Sequence, residues 1–285
     1  MARRLISAGV ASAIAISVLA IDKKELFLIA VAFISTVIIY EILVATKYIN
    51  NRLVAAVSLL FSVAVTIVIN YDIHFINTRY VSFALIIGLF IIMLFSHGKV
   101  KFSEVALVTF VSLCVPFSMS CVIFMFDTFS EHRTFVIVYA LTVTWISDSG
   151  AFFAGTFLGK HKMAPEISPK KTWEGFFGGL ATAALFGFLL GQGYELLLNH
   201  FNENATYKVD VLFLAILAVP CAVLGVLGDL SASILKRECA VKDFGNIMPG
   251  HGGVLDRFDS ALFVLPFVYL VLIYDELKFF PIISV

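Results

Sequence analysis

Charge is scarce in this chain: only 14% of its 285 residues are Asp, Glu, Lys or Arg, and the formal net charge is zero. So few charges argue against a soluble globular domain, while the zero net charge by itself says little about partners. Cysteine is sparse as well. Cys114 and Cys121 share one apolar stretch, while Cys221 and Cys239 stand apart, so no metal-ligand spacing or disulfide framework is present. No separate soluble body follows the first apolar run, and no small-residue cleavage site closes it, which argues for a membrane span there rather than a signal peptide. What the chain has in quantity is apolar sequence, 60% of all residues.

Apolar runs long enough to cross a bilayer fall at 5–21, 26–43, 53–70, 81–95, 105–126, 135–158, 175–194, 211–235 and 254–274. The reading is an all-α, polytopic integral membrane protein of about nine transmembrane helices, with a polar funnel open to the cytoplasm. Counting the amino-terminal tail and every second loop collects Arg3, Arg4, Lys47, Arg52, Lys99, Lys101, Lys160, Lys162, Lys170, Lys171, Lys236, Arg237, Lys242 and Arg257. These are fourteen of the twenty Lys and Arg residues. The positive-inside bias then places the amino terminus in the cytoplasm and the carboxy terminus outside.

Residues 1–130 read as scaffold helices, with no buried ionisable group that demands a function. Residues 131–285 read as the catalytic region of a single membrane-embedded unit. Asp148, in Ser147-Asp148-Ser149-Gly150, lies deep in the sixth span, where a carboxylate needs a wet cavity, a cation or a protein partner. Ser147, Ala151, Gly155 and Gly159 form a small-residue row at i+4 steps, and Gly175 and Gly179 offer a matching row for close helix packing. The loop between carries Ser168-Pro169-Lys170-Lys171-Thr172, hydroxyls and ammoniums at a helix start and a suitable phosphate cradle.

Pro220, Gly225 and Gly228 lead to the expectation of a kinked or locally opened eighth helix. Beyond them, Asp229, Ser233, Lys236 and Arg237 fall on one helical face. Asp256 and Asp259 are expected to share a face of the ninth helix, and the turn Gly250-His251-Gly252-Gly253 to leave bare amides beside them. Carboxylates without thiols describe a hard-oxygen site for Mg²⁺, with Lys236, Arg237, Lys242 and Arg257 meeting phosphate charge. An interhelical ion-pair network accounts for the same residues without a ligand.

Ser233-Ile234-Leu235-Lys236-Arg237, Lys242-Asp243 and Pro249-Gly250-His251-Gly252-Gly253-Val254-Leu255-Asp256-Arg257-Phe258-Asp259 together resemble the signature of the phosphatidate cytidylyltransferases, the CDP-diacylglycerol synthases. Ser147 to Phe152 and Ser168 to Gly175 resemble further motifs of that family, so the likeness covers roughly residues 145–260. It implies an enzyme of phospholipid biosynthesis that joins CTP to phosphatidic acid, giving CDP-diacylglycerol and pyrophosphate. It also implies Mg²⁺, with room for a second cation, a cell inner (plasma) membrane setting, and an active site facing the cytoplasm. Nucleic acid is not an expected partner, and a homodimer is compatible with the reading.

On this reading Asp229, Lys236, Arg237, Asp256 and Asp259 are the catalytic group, and Asp229, Asp256 and Asp259 the metal ligands. Ser168, Lys170, Lys171, Thr172, Ser233, Lys242, His251, Arg257 and Asp148 contact the substrates. Two alternatives carry the same features. A CTP-dependent lipid kinase of the dolichol kinase type would transfer the γ-phosphoryl group instead, and a membrane transporter could also bury carboxylates at mid-membrane.

Overall fold

In a computed structural model, the described residues are 2–71, 77–201, 206–247, 250, 252–274 and 282–284. The helices are α1 (Ala2–Ile21), α2 (Lys24–Ala45), α3 (Arg52–Tyr71), α4 (Thr78–Phe95), α5 (Phe102–Thr128) and α6 (Arg133–Leu158). A short hairpin, β1 (Lys162–Ala164) and β2 (Ser168–Thr172), leads into α7 (Trp173–Phe201). Strand β3 (Tyr207–Val209), α8 (Val211–Glu238), the one-turn α9 (Leu255–Phe258), α10 (Ala261–Ile273) and β4 (Ile282–Ser284) complete the order. Seven of these helices, α2 to α8, are long and apolar enough to cross a membrane. The protein is an all-α polytopic membrane protein, as its hydropathy foretells.

The chain divides into two compact units. One comprises Met1–Phe124 with Leu235–Phe258, and the other Met125–Ile234 with Asp259–Val285. Segment 235–258, expected to belong with the carboxy-terminal region, is therefore grouped with the amino-terminal helices.

In the second unit α6 and α7 pack through the small-residue rows. A Cβ placed on Gly175 would come within 2.8 Å of the Ala151 carbonyl oxygen and 3.1 Å of the Gly155 Cα. One on Gly179 would stand 3.1 Å from both the Ala151 Cβ and the Ser147 carbonyl oxygen. Backbones this close leave no room for a larger residue. Gly179→Leu is accordingly expected to lower stability by about 1–3 kcal/mol, read as an earlier thermal transition of the purified protein, whereas Gly193→Ala, with nothing near its Cβ position, should leave that transition in place.

Strand β3 precedes α8 and pairs antiparallel with β4, Tyr207 opposite Ser284 and Val209 opposite Ile282. The carboxy-terminal strand thus lies on the same side as the α7–α8 connection, as the alternation of spans requires.

Helix α8 continues through Pro220 as one 28-residue helix, the amide that proline lacks removing only one bond from the ladder. One expectation is corrected. The ninth span is not one helix: α9 and α10 are separated by a turn at Asp259 and Ser260, so Asp256 and Asp259 do not share a helical face. The turn lies against α8. A Cβ on Gly228 would meet the Asp259 carbonyl oxygen and come within 3.0 Å of the Ser260 Cα. Helix α10 starts level with Gly228, ten positions before the end of α8, and its 13 residues need rise only about 20 Å. Irregular backbone at such depth is tolerated where protein packs on it.

Candidate active site

The second unit brings together residues that the sequence scatters. Asp229 on α8 is held by Lys171 at the end of β2, with Nζ 2.7 Å from Oδ2. The same ammonium points toward the Val226 carbonyl oxygen at 3.4 Å. Asp148 on α6 lies within electrostatic range of both Asp229 and Lys171. It also accepts a hydrogen bond from the Ser260 hydroxyl at 3.3 Å. Small residues make this convergence possible: Gly225 approaches Ser260 and Thr144, and Gly228 approaches the 259–260 turn.

Asp148 lies ten residues from the end of α6, about 15 Å along the helix. A carboxylate at that depth has found two of the partners that membrane burial demands, a cation and a hydroxyl. Lys171 and Asp229 remain 21% and 33% exposed, so the cluster is open enough for a ligand to reach them. Asp259 is buried and accepts from the Ser260 amide at 2.8 Å.

The neighbouring loop positions separate by role. Thr172 is buried, and its hydroxyl accepts from the Gly175 amide at 3.1 Å, capping α7. This is a structural task, and the hydroxyl is turned away from solvent. Lys170 is exposed and Ser168 half-buried on β2. Glu174 accepts from the His161 ring at 2.6 Å and tethers the start of the hairpin to α7.

The first unit holds a second cluster. Asp256 on α9 accepts at Oδ2 from the amides of Gly253, at 2.8 Å, and Phe244, at 3.1 Å. Its Oδ1 meets the Lys236 ammonium at 2.6 Å, and no hydroxyl or amide reaches that oxygen. Lys236 also stands 5.3 Å from the centroid of the Phe244 ring. Arg237, Lys242 and Arg257 are exposed and Ser233 is half-buried. His251 lies outside the described residues.

Glu41 on α2 is the residue that sequence reading missed. The front half does contain buried ionisable groups, contrary to expectation, and Glu41 is only 1% exposed. Its two oxygens accept from the Val254 and Leu255 amides, each at 2.8 Å. Of the glycine turn, the Gly253 amide is not left bare but serves Asp256, and the two amides that follow the turn serve Glu41. Gly245 and Gly253 give the carboxylate its space, since a Cβ on either would stand 2.6 Å from a Glu41 oxygen. The signal available in sequence was a second Glu, sixteen positions after Glu25 of the first turn and amid the apolar residues of a 22-residue helix.

Among the described residues, no group of three or more His, Cys, Asp or Glu side chains forms a metal-ion site. The donors in the Asp148–Asp229 cluster are nonetheless all oxygen, and two carboxylates fit a Mg²⁺ that reaches the protein already bound to nucleotide phosphates.

Residues 2–275 match the Cytidylyltransferase family. The chain belongs to that family. Relatives of this cytidylyltransferase-family chain include a phosphatidate cytidylyltransferase of Bacillus subtilis, 48% identical over 136 residues, which cover 48% of this chain and 46% of the relative. One from Haemophilus influenzae is 42% identical over 137 residues, 48% of this chain and 45% of the relative. One from Staphylococcus epidermidis is 40% identical over 150 residues, 53% of each chain. The chain spans about half the length of the curated relatives it matches.

Proposed function

We propose that this protein is a phosphatidate cytidylyltransferase, converting CTP and phosphatidic acid to CDP-diacylglycerol and pyrophosphate. The observation that carries the reading is the half-buried Lys171–Asp229 pair with Asp148 beside it, set among membrane helices of a cytidylyltransferase-family chain. A water-soluble nucleotide and a lipid phosphate can both be served by a polar cluster that is deep yet partly open.

The phosphate monoester of phosphatidate has a second pKa of about 6 and is largely dianionic at neutral pH. It needs no strong base. One of its oxygens attacks the α-phosphorus of CTP, the bond from that phosphorus to the β-phosphate bridging oxygen breaks, and pyrophosphate leaves with the electron pair. Catalysis then consists of alignment and charge neutralisation. Lys171 is placed to meet phosphate oxygens, exchanging its bond to Asp229 for one to substrate. On the same strand, exposed Lys170 supplies further positive charge. Asp229 and Asp148 are the carboxylates proposed to hold Mg²⁺ with the nucleotide, and Asp259 is the sequence neighbour of Ser260, whose hydroxyl donates to Asp148. The bound ion would withdraw charge from the triphosphate. In orientation, the cation-rich loops are proposed to face the cytoplasm of a bacterial inner membrane.

Product analysis tests the reaction against the lipid-kinase alternative. Purified protein given CTP, phosphatidate and Mg²⁺ should release pyrophosphate and form a cytidine-containing lipid; conversion of CTP to CDP with phosphorylation of a lipid alcohol supplied in place of phosphatidate would overturn the assignment. Lys171→Gln is expected to lower the rate by about 10²-fold or more, measured as CDP-diacylglycerol formed per minute, with the thermal transition little changed.

A further inference from the structure

Loops α2–α3 and α4–α5, in the first unit, enclose a cavity of about 710 Å³ that contains no residue of either cluster described above. Lys47, Arg52 and Lys99 line it, and all three are exposed. None of the three is ion-paired among the described residues. The lining also has an apolar part, including Leu53 at 65% and Phe95 at 76% exposure, side chains suited to acyl chains.

Glu104, in the first turn of α5, also lines the cavity. It is only 8% exposed, and its Oε1 is buried with no hydrogen-bond partner. A buried carboxylate oxygen left unsatisfied is costly, and it would repel a bare phosphate. Three unpaired cations call for an anion, while the carboxylate calls for a hydrogen-bond donor attached to it.

We propose that this cavity is a phospholipid site, selective for headgroups that combine a phosphodiester with a hydroxyl or ammonium donor. The phosphate meets Lys47, Arg52 and Lys99, the donor meets Glu104, and the acyl chains lie along Leu53 and Phe95. Basic pockets between transmembrane helices are suited to such headgroups. The apolar part of the lining favours a lipid over a soluble phosphate of the same chemistry. Nothing in the proposal depends on which reaction the protein catalyses.

The test is native mass spectrometry of the full-length protein with phosphatidylglycerol, phosphatidylethanolamine or phosphatidylcholine added at equal concentration, and with sn-glycerol 3-phosphate as a soluble probe. The first two lipids should be retained about tenfold more than phosphatidylcholine, which has a phosphate but no donor. Retention in the K47Q/R52Q/K99Q variant should fall by about tenfold or more. E104Q should narrow the preference for phosphatidylglycerol over phosphatidylcholine. The triple variant changes only exposed side chains, so it reports even if E104Q fails to fold. Equal retention of all three lipids, unchanged retention in the triple variant, or binding of glycerol phosphate as strong as that of the lipids would overturn the proposal.

Discussion

Asp229→Asn should reduce CDP-diacylglycerol formation by about 10³-fold while leaving the protein folded. Asp229 holds Lys171 and is the carboxylate proposed to share a cation with the nucleotide, so its neutralisation removes two charge contacts to the reacting phosphates. Loss of a single preorganised electrostatic contact typically costs 10²–10³ in rate, and here both contacts are affected. Stability should change little, because a pair that is 21% and 33% exposed is worth about 1 kcal/mol or less. Initial rates with saturating CTP, set beside the thermal transition of the same preparation, separate the two effects. A variant retaining more than a tenth of wild-type activity would remove Asp229 from the site.

Glu41→Ala should act in the opposite order, on stability first. It leaves the Val254 and Leu255 amides buried without acceptors, and each such loss costs about 1–3 kcal/mol. A total of about 2–6 kcal/mol is expected, seen as a lowered thermal transition in detergent. Activity should fall with it, because those amides fix the segment on which Asp256 accepts from Gly253 and Phe244. Glu41→Gln should recover part of the stability, as one amide keeps an oxygen acceptor while the other faces an NH₂ group. A Glu41→Ala protein with an unchanged transition would mean that the segment holds its shape without this anchor.

Much of the architecture could be read from hydropathy, because a bilayer requires runs of a definite length and the runs are unmistakable. The break between α9 and α10 could not be read that way. Residues 254–274 form one apolar run in sequence, and the turn at Asp259–Ser260 is set by close approach to Gly228, a contact with no local signature. Asp148 could be singled out because a carboxylate in mid-span needs partners, but its partner Ser260 lies 112 positions away. Lys171 could be singled out from its loop, although its pairing with Asp229 joins β2 to α8 across 58 positions and has no local signature. Glu41 shows the limit most plainly. Its amide partners are 213 and 214 residues distant, and nothing adjacent in sequence announces them. Thr172, chosen for its hydroxyl beside two lysines, instead caps a helix; local chemistry identified a useful group without revealing which neighbour would claim it.

Transfer of the cytidylyl group itself can be followed directly. Purified protein incubated with phosphatidate, Mg²⁺ and CTP labelled in one sample at the α-phosphate and in another at the γ-phosphate should carry the α label into extractable lipid and leave the γ label in pyrophosphate. Appearance of the γ label in lipid, or of neither label there, would contradict cytidylyl transfer.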